Sequence, residues 1–150
     1  MQPVDKIDSV LKLKGGQTWS VAPTATVYEA IEKMSAKGVG ALLVLTEDGH
    51  LTGIISERDY ARKVILRDRS SKQTQVQEIM TSPVVTVTPQ HSVEECMRTM
   101  TENRVRHLPV VDRGKVVGVI SIGDLVNWII SAHEETIGHL QSYIAGNYPG

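Results

Sequence analysis

The chain is predicted to be a mixed α/β protein built from two copies of one strand-helix-strand-strand-helix unit. Three observations lead there. The stretch Gly53-Ile54-Ile55-Ser56-Glu57-Arg58-Asp59 returns as Gly118-Val119-Ile120-Ser121-Ile122-Gly123-Asp124. Around it a longer pattern repeats: Pro23, Val27, Glu29, Met34, Val39, Leu42 and Val44 match Pro89, Val93, Glu95, Met100, Val105, Leu108 and Val110 at an offset of 66, which falls to 65 from Gly49/Gly114 onwards. The strand stretches are apolar on both faces, as in sheets covered by helices. A unit of roughly 50 residues does not cover its apolar face alone, so the two copies must pack together.

Taken in order, residues 1–14 are expected to form a helical arm. Ile7, Val10, Leu11 and Lys14 share one side of a short helix, and Gly15-Gly16 stops it. The first unit spans 15–66. Trp19 to Pro23 is a short extended segment, and Thr26 with Glu29 forms a capping box. The helix that follows carries Val27, Ala30, Ile31 and Met34 on one face and ends at Gly38. Ala41 to Leu45 and Leu51 to Ser56 are strands joined by a turn with an Asp48-Gly49 signal, and a helix runs from Glu57 to about Leu66. Residues 67–79 form a linker rich in Ser, Arg, Lys and Gln.

The second unit, 80–131, repeats the plan. Ser92 and Glu95 restate the capping box, and Val93, Cys96, Met97 and Met100 restate the apolar stripe, which makes Cys96 a small core residue in the place of Ala30. One residue is lost in the turn Asp112-Arg113-Gly114. Residues 132–150 are expected to be a C-terminal helix and tail. Ile130, His133, Ile137, Leu140 and Ile144 make a short seam that packs either on the N-terminal arm or on the same tail of a second subunit.

Composition excludes several classes of function. With 150 residues, 41 % hydrophobic and a formal net charge of -1, the chain has a core-forming composition and no basic field for a nucleic acid. No apolar run is long enough to span a membrane, and the N-terminus lacks the apolar block of a signal peptide. One cysteine permits no internal disulfide, so the expected location is the cytoplasm.

The chemistry-bearing residues collect at the two repeated junctions. A strand running into a helix leaves Ser56 and Ser121 as N-caps with Asp59 and Asp124 in the first turn, which local capping alone would explain. Their repetition at both junctions favours a ligand role. A carboxylate has two acceptor oxygens for the paired hydroxyls of a ribose, and serine faces phosphate oxygens. Arg104-Val105-Arg106-His107 adds donors that the first unit lacks, since Gly40 and Ala41 stand opposite Arg106 and His107 in the repeat. Trp128 is expected to pack rather than bind, whereas Trp19 suits either core packing or an adenine face. The histidines have no metal spacing, and there is no Walker loop, no dinucleotide glycine motif and no nucleophile elbow.

Gly53 to Tyr60, Ile79-Met80-Thr81-Ser82-Pro83-Val84-Val85-Thr86-Val87 and Arg106-His107-Leu108-Pro109-Val110-Val111 together resemble a tandem CBS-domain pair. The likeness covers about residues 15 to 131, and in length and wording the chain is similar to stand-alone bacterial proteins and small plant organellar ones. It implies two β-α-β-β-α motifs packed through their sheets with pseudo-two-fold symmetry, a Bateman module, and commonly a homodimer. It also implies adenosyl ligands such as AMP, ADP, ATP, NAD or S-adenosylmethionine in two clefts. By position, one cleft would use Ser56, Arg58 and Asp59 with Met80, Pro83, Val84 and Val85, and with Arg106 and His107. The other would use Ser121 and Asp124 with Gln17, Trp19, Gly40 and Ala41. Ile122 and Gly123 replace Glu57 and Arg58, so the second cleft has lost a cation. The function so implied is a non-catalytic, nucleotide-sensing regulator of a target enzyme, without catalytic cofactor or metal. The alternative is an interaction module with vestigial clefts.

Overall fold

Side-chain caps start the main helices where the repeat places them. Thr26 accepts from the Glu29 amide and Ser92 from the Glu95 amide, and each glutamate returns a bond to the cap's own N–H. These boxes open α2 (Val27–Lys37) and α5 (Val93–Asn103), each satisfying two amides that a helix start leaves free. The computed structural model describes residues 5–132. Its described residues fall into two units, Gln17–Val85 and residues 5–16 with 86–132.

In Gln17–Val85, strand β1 (Ser20–Val21) pairs in parallel with β2 (Ala41–Leu45), which pairs antiparallel with β3 (Leu51–Ser56). Helix α3 (Glu57–Lys63) follows, then a 3-10 turn at Ile65–Arg67 and a short helix α4 (Val76–Ile79). Val27, Ala30 and Met34 of α2 meet Leu42, Val44 and Ile55 of the sheet and Val76 and Ile79 of α4 in one core. Apart from Ala30, each such side chain contributes about 1.5–3 kcal/mol when buried. The helix expected to reach Leu66 ends at Lys63 and tightens into the 3-10 turn, leaving Ile65 and Leu66 exposed.

The other unit contains α1 (Ile7–Lys14), α5, strands β4 (His107–Asp112) and β5 (Lys115–Ser121), and helix α6, residues 122–132. Cys96 lies fully buried on α5. The first strand expected here shrinks to a single parallel bridge, Val87 to Val110. Leu43 donates its amide to the Trp19 carbonyl in the first unit; the matching residue is Pro109, which has no N–H, so that rung is lost. Of the C-terminal seam only Ile130 is described, half exposed; His133, Ile137, Leu140 and Ile144 lie outside the described residues.

The segments expected as arm and linker turn out to repeat as well. The Val76 and Gln77 amides donate to the Ala25 and Pro23 carbonyls, and the Val27 amide to Thr74. In the other unit Ile7 and Asp8 donate to His91 and Pro89, and Val93 to Asp5. Asp5 to Leu11 therefore does for one unit what Thr74 to Met80 does for the other. The side chains agree: Met80 lies on Gly53, and Leu11 lies on the matching Gly118.

Candidate functional site

At the first junction, β3 delivers Ser56 in extended conformation to the start of α3. Its amide and hydroxyl donate to Asp59 Oδ2 at 2.9 and 3.1 Å, while the Asp59 amide donates back to the serine oxygen at 3.3 Å. The other carboxylate oxygen meets Lys63 Nζ at 3.1 Å and the Thr81 hydroxyl at 3.4 Å. Asp59 is only 9 % exposed, a depth at which a carboxylate requires such partners. Gly40 and Ala41 adjoin this corner, Ala41 pairing with Ser56 and the Gly40 carbonyl accepting from the Glu57 amide.

The second junction uses the same cap with a different cation. The Ser121 amide donates to Asp124 Oδ2 at 2.8 Å, and the Asp124 amide to the Ser121 hydroxyl at 3.1 Å. Lys14, 110 residues away, donates to the same oxygen at 2.6 Å and to the Val119 carbonyl at 2.7 Å. Burial pushes the Asp124 carboxyl up, but the Lys14 ammonium and the Ser121 donors outweigh it and hold the group below its usual range. Where the repeat sets Trp128 in place of Lys63, the indole N–H turns to Asp5 at 3.0 Å.

His107 pairs with Ser121 across β4 and β5, and the Arg106 carbonyl accepts from Ile122, so both flank the Asp124 corner within their own unit. Burial, then the nearby Lys14 charge, push the His107 pKa down and favour the neutral ring, against the opposing pull of Asp124. Arg58 sits on α3 one residue before Asp59. Met80 touches the α-carbon face of Gly53, and Pro83, Val84 and Val85 follow in an irregular segment with a cis Ser82–Pro83 bond. The Trp19 ring packs on the first core beneath Lys37 Nζ, 4.4 Å from its centroid; Gln17 is exposed.

Three residues escape the sequence reading: Lys14, Lys63 and Thr81. Lys63 carried a signal, its spacing of four residues from Asp59 on a helix. Lys14 carried none, because its partner is distant in sequence. Both corners can accept hydroxyl donors on a carboxylate whose charge is balanced by a lysine. A thiol nucleophile is not on offer at Cys96: burial and the adjacent Glu95 push its pKa up to about 12. Among the described residues no helix is long and apolar enough to cross a membrane.

A family model for the CBS domain matches residues 18–66 and 76–131. The CBS domain-containing protein CBSX3, mitochondrial, of Arabidopsis thaliana is 43 % identical over 150 residues, covering 95 % of this chain and 73 % of that protein. A structure of a protein with CBS domains from Burkholderia ambifaria MC40-6 is 51 % identical with a TM-score of 0.80, over 84 % of this chain and 94 % of that one. The CBS domain pair of protein MJ0100, solved with 5′-methylthioadenosine and S-adenosyl-L-methionine, is similar in fold at 23 % identity and a TM-score of 0.76, over 87 % of this chain and 99 % of that one.

Proposed function

Since the chain belongs to the CBS-domain family, we propose that it is a non-catalytic regulatory module that binds an adenosyl ligand at its two Ser-x-x-Asp junctions. One observation carries this reading: Asp59 and Asp124 are held at matching strand-to-helix corners by the same serine donors, each beside a lysine. Capping alone requires neither the lysine nor the repetition. Each carboxylate takes the 2′ and 3′ hydroxyls of a ribose. Ser56, Ser121, Arg58, Arg106 and His107 serve phosphate, and Gln17, Trp19, Gly40, Ala41, Met80, Pro83, Val84 and Val85 frame adenine. The adenosyl ligands of MJ0100, a protein alike in fold, agree with this class of ligand, within which AMP, ADP, ATP and NAD are the candidates. The module acts on a target enzyme in trans as a homodimer, for which the exposed Val126 and Ile130 of α6 supply an apolar contact.

Thermal unfolding with AMP, ADP, ATP, NAD and S-adenosylmethionine tests the reading. A ligand at a hundredfold excess over Kd stabilises by about 2.7 kcal/mol, a rise in Tm of roughly 5–10 °C for a chain of this size. No shift with any of the five would refute it.

A further inference from the structure

We propose that Lys14 is a ligand residue of the Asp124 corner, drawing in the anionic group of the adenosyl ligand so that this corner selects nucleotide over nucleoside. The inference rests on the ribose role given above to Asp124. In the first unit Thr81 serves both groups behind the junction: its amide donates to the Ile54 carbonyl at 2.8 Å and its hydroxyl to Asp59 Oδ1 at 3.4 Å. In the other unit the matching Val119 carbonyl and Asp124 are both served by the single ammonium of Lys14. A fixed, neutral pair of donors has been exchanged for a charge on a flexible stem.

That charge remains accessible. Lys14 uses two of its three donors, and its side chain is 37 % exposed. Lys14 and the Ser121 amide both bond Asp124 Oδ2, and Oδ1 has no hydrogen-bond partner among the described residues. A ribose hydroxyl can therefore reach the carboxylate while Lys14 stays bonded. The lysine is also held in place: Ile7, Val10 and Leu11, on the same side of α1, are buried, with Leu11 seated on Gly118. The two units thus arrive at Lys14 and Lys63 by different routes, since Trp128 occupies the position that Lys63 fills in the first unit. A phosphate brought close to Asp124 meets repulsion that Lys14 offsets, with Arg106 as a second cation in the same unit; an uncharged nucleoside gains nothing from either.

Isothermal titration of AMP and of adenosine into the full chain decides it, comparing wild type with Lys14→Met, Lys14→Arg and Asp124→Ala. For the binding event that Asp124→Ala removes, Lys14→Met is expected to weaken AMP about tenfold or more, as for a lost charge-assisted hydrogen bond, and adenosine less than about threefold. Lys14→Arg is expected to keep the preference for AMP. Should Lys14→Met fail to fold, Lys14→Gln replaces it. Equal losses for AMP and adenosine, or tighter AMP binding by Lys14→Met, would overturn the inference. AMP binding indifferent to Asp124 would overturn the ribose reading itself, whereas Asp124-dependent AMP binding indifferent to Lys14 overturns only the role of the lysine.

Discussion

Replacing Asp124 with asparagine keeps the side-chain shape and removes the charge that Lys14 and the Ser121 amide hold. The Lys14–Asp124 pair is short, 2.6 Å, but its side chains are 37 % and 23 % exposed, so solvent screening limits it to at most about 1 kcal/mol. Turning the charged acceptor of the Ser121 amide into a neutral one removes about 0.5–1 kcal/mol more. Asp124→Asn should therefore cost about 1–2 kcal/mol at pH 7, or roughly 3–6 °C in Tm. The sign of its pH dependence follows from the depressed carboxyl. A group whose folded-state pKa lies below its unfolded value stabilises above the unfolded value, and loses that contribution as pH falls through the folded one. The cost of Asp124→Asn should thus be constant near neutrality and shrink once pH drops below the ordinary aspartate value of 3.8. Urea denaturation of wild type, Asp124→Asn, Lys14→Met and the double variant, at pH 7 and at pH 3, measures both the coupling and its loss. A coupling of zero at pH 7, or a cost at pH 3 as large as at pH 7, would refute this reading of the corner.

Two further substitutions probe the fold behind the sites. A Cβ on Gly53 would lie 2.5 Å from Met80 Sδ and 3.1 Å from the Thr81 carbonyl, and one on Gly118 would lie 2.5 Å from Leu11 Cδ2. Gly53→Ala and Gly118→Ala should each lower stability by about 1–3 kcal/mol in urea denaturation, and Leu11→Val, by removing the clashing branch, should recover part of the Gly118→Ala loss. Arg104 closes α5 in the left-handed conformation, φ 55°, where Gly38 closes α2. Arg104→Gly should stabilise by about 0.5–1 kcal/mol, since only glycine adopts that conformation without strain; a loss of stability in the same assay would mean that the arginine side chain holds the turn.

The repeat was legible because it rests on local chemistry. Capping boxes at Thr26 and Ser92, the glycine stop at Gly38 and continuous apolar strand runs each act within a few residues, so their signals are continuous in sequence. The ends of the chain's pattern were not. Asp5 to Leu11 and Thr74 to Met80 share only apolar class at Ile7/Val76, Val10/Ile79 and Leu11/Met80, at an offset of 69 that breaks the register of 66, and they suggest an arm and a linker. They also diverge just after the match. The α4 helix ends at Ile79, and Pro83 disfavours helix at Ser82 beyond it, whereas Lys12-Leu13-Lys14 continue α1 to Gly15. That difference of one turn is what delivers Lys14 to Asp124. Pro109 shows the converse, a residue plain in the sequence whose consequence, a strand reduced to one bridge, depends on knowing which carbonyl its missing N–H would have met.

The central claim is that the two junction carboxylates hold the ligand, and it is tested most directly by the ligand-induced Tm shift in Asp59→Ala, Asp124→Ala and the double variant. With whichever adenosyl ligand stabilises wild type most, each single variant should lose part of the shift and the double variant all of it. A double variant that keeps the full shift would contradict the claim.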